Sequence, residues 1–263
     1  MNKTALIVID PQVDFCSPKG ALYVPGAEND MKRAGALVSN AGHRFTEIHV
    51  TLDTHHLMHI AHPLFWVGAD GGNPEPFTLI SRADVENGTW KPFSESLAGK
   101  AVNYVRQLEK NGRYSLVIWP PHCLIGSPGH SVCPELFEPL LNWEKTRKAV
   151  INYVTKGSNI YTEHYSAVQA DVPDPEDAST ELNLTFIKSM ENSDHVLIAG
   201  EALNFCVFNT LRDIIAFFGK ENIHKLAVLE DCMSPVPGFE QLTEAFYSLV
   251  KSSGVEIIKS TDI

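Results

Sequence analysis

The chain has 263 residues, 44% of them hydrophobic, which is enough for one large α/β domain or two small ones around a real core. Its 21 Lys and Arg face 32 Asp and Glu, giving a net charge of -11 with no concentrated basic stretch, so neither nucleic acid nor an anionic membrane is an expected partner. The apolar runs are far too short to cross a bilayer, the N-terminus has no secretory pattern, and five cysteines do not make a disulfide framework; the setting expected is reducing and cytoplasmic.

In chain order, strands are expected at 4–9 (TALIVI), 47–52 (EIHVTL), 115–119 (SLVIW), 149–154 (AVINYV), 195–200 (HVLIAG), 225–230 (KLAVLE) and 255–259 (VEIIK). Most are near-continuous apolar runs, the pattern of strands covered on both faces. Leu97, Val102, Val105 and Leu108 have helical spacing before the third strand. Val207, Leu211, Ile214, Ile215 and Phe218 have it after the fifth. This alternation predicts a three-layer α/β/α fold with a central, mainly parallel sheet of about six strands. Residues 54–94, with GADGGNPEP at their centre, and 157–177, ending in DVPDPEDAS, are too rich in His, Pro, Gly, Asn and acidic residues for one regular element. Segments of that length are usually lids or binding loops. The expectation is a single domain over 1–263 with an inserted loop-rich region at about 54–94.

Ligands of open α/β sheets bind at the carboxyl ends of the strands. The first strand ends in Asp10, the second in Asp53 and His55, the third leads to His122, the fourth to Lys156, and the fifth enters the turn that carries Cys206. Cys206 falls in the opening turn of the following helix, where unpaired N–H groups and partial positive charge stabilise a thiolate and can hold an oxyanion. A lone cysteine is more often an inert core residue. No histidine lies near it in sequence, so a carboxylate such as Asp10, held by Lys156, is the candidate base. Asp14 reads as a turn or cap residue rather than a second base. Asp53-x-His55 puts two ligand side chains on one side of an extended segment. With His122 they make a facial set suited to Zn, Fe or Mn. His59 and His62 are either further ligands or ordinary loop residues, and Phe15, Trp119 and Tyr165 are either pocket or core.

Taken together, VIDPQVDF, GALYVPGA, LDTHHLMH, WPPHCLIGSPG, TKGSNIYTEHYSA, AGEALNFCVFNTLRD and LEDCMSP resemble, in the family's order, the nicotinamidase branch of the isochorismatase-like cysteine hydrolases. The resemblance implies a catalytic triad of Asp10, Lys156 and Cys206. It also implies a divalent metal, Zn before Fe or Mn, on Asp53, His55 and His122, with His59 where some relatives carry another ligand. Phe15, Trp119 and Tyr165 would border the substrate ring, and the N–H groups of Ala202 and Cys206, beside a cis Glu201–Ala202 peptide, would form the oxyanion hole. The expected activity is hydrolysis of a small carboxamide, nicotinamide first, by a homo-oligomer. Two positions depart from the pattern: Glu201 stands where an apolar residue is usual, and Asn204 where Asp is frequent. The competing readings are a metal-free relative acting on a carbamoyl or ureido bond and, in another class, a non-catalytic domain holding an anion at the helix N-terminus. No G-x-G-x-x-G or Walker pattern supports nucleotide binding.

Overall fold

The computed structural model describes residues 3–111 and 114–263. Six strands form the main sheet: β1 (Thr4–Ile9), β2 (Phe45–Asp53), β3 (Asn152–Lys156), β4 (His195–Gly200), β5 (Leu226–Leu229) and β6 (Glu256–Ile258). All pairs are parallel, in the order β6-β5-β4-β1-β2-β3. The central strands β1 and β4 are buried from their second residue onward, which is why their sequences read as unbroken apolar runs.

Six longer helices connect the strands: α1 (Ala27–Ala41), α2 (Ala98–Lys110), α3 (Pro134–Arg147), α4 (Leu184–Glu191), α5 (Phe208–Phe217) and α6 (Glu240–Ser253). Right-handed crossovers from β1 to β2 and from β2 to β3 put α1 and α3 on one face. There the two helices pack directly, so closely at Gly35 that a Cβ would lie 2.2 Å from the Glu135 carbonyl oxygen. Crossovers in the opposite direction put α4, α5 and α6 on the other face, where Phe208 of α5 meets Phe246 of α6 edge-on at 6.2 Å. The expected three layers and parallel sheet are therefore present. Among the described residues no helix is long and apolar enough to cross a membrane.

One expected strand does not join this sheet. Of residues 115–119 only Leu116–Val117 are strand, paired antiparallel with Leu79–Ile80. The place beside β2 is taken by β3, in register from His49↔Asn152 to Asp53↔Lys156. Residues 116–119 are instead wrapped by the 54–94 region: Ile118 N–H donates to the Thr78 carbonyl at 2.9 Å and Trp119 N–H to the Ala61 carbonyl at 2.7 Å. Their burial comes from that wrapping, which in sequence looks the same as burial inside a sheet. The 54–94 region is itself built from short pieces, including a Trp66–Gly68/Trp90–Pro92 ladder and a helical turn at Arg82–Glu86.

The chain leaves β1 toward β2 on one side, whereas β4 lies on the other, so the order reverses between β1 and β4. Such a reversal opens a crevice beyond the carboxyl ends of the strands. Ile9 pairs with Gly200, and Asp53 with Lys156, so residues 10 and 201 and residues 53 and 156 leave the sheet side by side at that crevice.

Candidate active site

Asp10 follows β1 with a positive φ of 44°, and its backbone N–H donates to the Thr51 hydroxyl at 3.0 Å. The same hydroxyl donates to the Asp10 carboxylate, so a β2 side chain fixes both the strained backbone and the carboxyl. Gln12 extends the sheet by one side chain. Its amide donates to the Asp53 carbonyl and accepts from the Asp53 N–H, both at 2.7 Å, as a neighbouring strand would. Asp14 accepts from the Cys123 N–H at 2.7 Å and from the Ala21 N–H at 3.0 Å, which makes it a tie between loops.

Lys156, buried at the end of β3, is the hub. Its Nζ lies 2.7 Å from Asp10 Oδ2, 3.2 Å from Asp53 Oδ1 and 3.6 Å from Cys206 Sγ. Asp10 and the Cys206 thiol thus share one ammonium, and the Asp10 charge acts on the thiol. Burial acts against the Lys156 charge, but Asp10 and Asp53 outweigh it and hold the ammonium well above its usual range. Burial pushes the Asp10 carboxyl above 3.8 despite Lys156, and pushes the Cys206 thiol well above 9.0. The thiol thus rests protonated next to a buried carboxylate of raised basicity.

Cys206 lies in a π-helical turn, Leu203–Val207, that opens α5. Such turns are frequent at functional sites. Ahead of it Gly200 has φ 118°, and a Cβ there would lie 2.1 Å from the Ile9 carbonyl oxygen, so only glycine lets β4 turn against β1. The Glu201–Ala202 peptide is cis. Ala202 and Cys206 both line a pocket with Phe15, Trp119, Tyr165 and His122. Leu22, Phe205 and Val236, which sequence reasoning missed, complete its apolar wall. Trp119 Nε1–H donates to the Tyr165 hydroxyl at 2.6 Å and its ring meets Phe205 edge-on at 4.9 Å. The pocket is narrow, with a cavity volume of about 20 Å³.

Beside the thiol lies a set of hydrogen-bond acceptors. His55 Nδ1 donates to the Gly157 carbonyl at 3.1 Å and His122 Nδ1 to the Pro120 carbonyl at 2.9 Å. A carbonyl only accepts, so each ring keeps a lone pair on Nε2. These two lone pairs face one Asp53 oxygen at 3.0 and 3.4 Å. Burial would raise the Asp53 carboxyl, but His55, whenever it carries a proton in place of a metal, and Lys156 hold it well below its usual range. Among the described residues Lys156 alone pairs with the two buried carboxylates Asp10 and Asp53, leaving the excess negative charge that a divalent ion offsets. With backbone carbonyls orienting both imidazoles, this donor set fits a metal.

His55, His59 and His62 form a second group whose ring nitrogens lie within 4.8 Å of one another. His59, expected as the possible further ligand, has both nitrogens engaged: Nε2 donates to the Thr162 carbonyl and Nδ1 accepts the Ala61 N–H, each at 3.2 Å. His62 instead donates through Nδ1 to the Leu57 carbonyl at 3.2 Å, and its buried Nε2 has no hydrogen-bond partner. The sequence offered His59 and His62 alike as further ligands or loop residues, because a loop of unknown path separates both from Asp53.

A larger groove of about 630 Å³ lies at the opposite, amino ends of the strands. Its cations Arg44, Arg147 and Lys225 stand among the acids Glu256 and Asp262, and no cysteine is among its lining residues. The chemistry is therefore placed at the smaller pocket.

No protein-family model matches the chain. Over 253 residues it is 24% identical to the nicotinamidase of Saccharomyces cerevisiae, covering 96% of this chain and 98% of that protein. Among solved structures, an Acinetobacter baumanii nicotinamidase/pyrazinamidase superposes with a TM-score of 0.68 at 24% identity, covering 100% of this chain and 98% of the other. The pyrazinamidase of Pyrococcus horikoshii, solved in complex with zinc, gives 0.58 at 20% identity over 97% and 98%. The likeness runs the length of each chain, so the resemblance carried by separate motifs extends to the complete fold.

Proposed function

We propose that the protein is a metal-containing cysteine amidohydrolase of one domain, cleaving nicotinamide to nicotinate and ammonia through a thioester. The observation that carries this reading is the single buried ammonium of Lys156 touching Asp10, Asp53 and Cys206 at once. A non-catalytic anion site needs no such cluster.

In the proposed reaction Asp10 takes the thiol proton as Cys206 Sγ bonds to the carboxamide carbon. Charge develops on the carbonyl oxygen, where the N–H groups of Ala202 and Cys206 act as the oxyanion hole. Asp10 returns the proton to the nitrogen as the C–N bond breaks and ammonia leaves. Water then attacks the thioester with Asp10 again as base, the C–S bond breaks, and the proton returns to sulfur. Lys156 stays charged throughout, offsetting the negative charge as it moves between carboxylate and thiolate. Phe15, Trp119 and Tyr165 border the substrate ring.

Asp53, His55 and His122 would hold the ion, and His62, which groups with His55 and His59, offers a further nitrogen on the His55 side. The proposed ion is zinc, which the Pyrococcus pyrazinamidase holds. When bound it supplies a Lewis-acid anchor for a pyridine nitrogen next to the thiol. Ammonia release from nicotinamide and a panel of small amides, with and without chelator, tests the reading. Turnover of nicotinamide that falls on chelation is expected. Absence of amide hydrolysis by the metal-loaded protein would overturn it.

A further inference from the structure

Glu201 takes no part in that chemistry, yet it is fully buried at the end of β4, next to the nucleophile turn. Its Oε2 accepts the Ser234 N–H at 3.1 Å. The Ser234 carbonyl in turn accepts the N–H of Leu203, the first residue of the turn that carries Cys206, at 2.9 Å. Its Oε1 is buried and meets no protein donor. Through Ser234 the Glu201 carboxyl is linked to Asp30 on α1, whose charge also acts on it. Asp30 is itself buried, pairs with Arg33 through Oδ1 and accepts the Ser234 hydroxyl through Oδ2.

Ser234 thus joins two buried carboxyl groups, and among the described residues Arg33 pairs with Asp30 while no cation pairs with Glu201, so Glu201 is the one that keeps a proton. We propose that Glu201 is a positioning residue that works as a neutral carboxylic acid: Oε1 keeps its proton while Oε2 holds Ser234, and through Ser234 the entry to the nucleophile turn. The groups facing it agree with this assignment. They are Asp30 and Arg33 from α1, the Cys133 thiol at the start of α3, and the Cys16 thiol from the turn after β1. Arg33 is committed to Asp30 and to the Asp231 carbonyl, which leaves Glu201 without a counter-ion. Burial, then the Asp30 charge, push its carboxyl well above 4.5.

The effect on catalysis rests on the amidohydrolase reading, whereas the protonation state does not, so two measurements separate them. In Glu201→Gln the uncharged amide accepts from Ser234, reproducing the neutral acid. Expected is kcat within about threefold of the parent in Glu201→Gln, and a fall of about 10–100-fold in Glu201→Ala with KM nearly unchanged, the span of a lost supporting contact. The second readout is thermal unfolding against pH. A carboxyl protonated in the fold but ionised near 4.5 when unfolded costs the parent stability as pH rises, and the glutamine has no such cost. The Tm of Glu201→Gln minus that of the parent is therefore near zero at pH 5 and positive by several degrees at pH 9. A flat difference would overturn the neutral acid, and so would a Glu201→Gln variant as impaired as Glu201→Ala. Lack of hydrolysis by the parent with a rising Tm difference would remove the enzymatic reading and leave the neutral acid standing.

Discussion

At Cys206 the local chemistry is set by burial opposed by one cation. A thiol in this position alone would be inert, since desolvation keeps its proton in place. What changes its character is that the proposed base, Asp10, has also been raised by burial, so the two groups of the proposed proton transfer share one environment, with Lys156 touching both. Cys206→Ala removes the nucleophile without touching the Asp53, His55 and His122 donors. Amide turnover should fall by at least about 10³-fold, while metal content by elemental analysis stays at the parent level. The second residue-scale expectation concerns the histidines. His62 has a free buried Nε2 and His59 has none, so His62→Ala should weaken zinc binding by about 10–100-fold and His59→Gln by much less. Competition titration against a chromophoric chelator measures both, and equal effects would remove the distinction.

At the scale of elements, the site depends on how strand ends are tied to loops. Asn204 in the π turn shows the principle. Its Oδ1 accepts the Val236 N–H at 2.9 Å, while Nδ2 donates to the Val236 carbonyl at 3.0 Å and the Phe239 carbonyl at 3.3 Å. The turn is thereby fastened to the loop whose Val236 lines the pocket. Aspartate cannot make both donations, so Asn204→Asp should lose about 2–4 kcal/mol of stability in urea unfolding, the cost of facing a buried carboxyl with two carbonyl oxygens. Contacts of this kind explain what the sequence could and could not reveal. Asp10, Asp53, Lys156 and Cys206 were legible because each follows an apolar strand run and inherits its position from the sheet. The 115–119 run misled for the same reason in reverse, being apolar but covered by the inserted region. Thr51, Gln12 and Phe205 gave no signal, because their roles exist only once separate segments meet, and the sequence offered His59 and His62 equally as further ligands without distinguishing them.

Across the whole molecule, the crevice concentrates buried imidazoles in the neutral form. Burial holds His55 below 6.5 against the opposing pull of Asp53, holds His59 well below 6.5, and pushes His62 down to about 2 and His164 down to about 3. In the unfolded chain each takes up a proton near its ordinary value of 6.5. Between that pH and the folded values the unfolded state binds more protons, so stability is full above pH 6.5 and declines as the pH falls. One unit below, at pH 5.5, each such histidine costs about 1.4 kcal/mol, so His62 and His164 alone cost about 3 kcal/mol. Asp53, held low in the fold, loses its contribution only further down, as pH falls below about 4 toward its folded value. Metal loading steepens the first decline, because unfolded histidines compete for protons while the folded set must stay deprotonated to bind. Urea unfolding of the zinc-loaded protein from pH 8 to pH 5 should show stability falling mainly below pH 6.5, more steeply than in chelator-treated protein. His62→Ala should flatten part of that slope, and a slope unchanged by both treatments would show that these imidazoles are already protonated in the folded state.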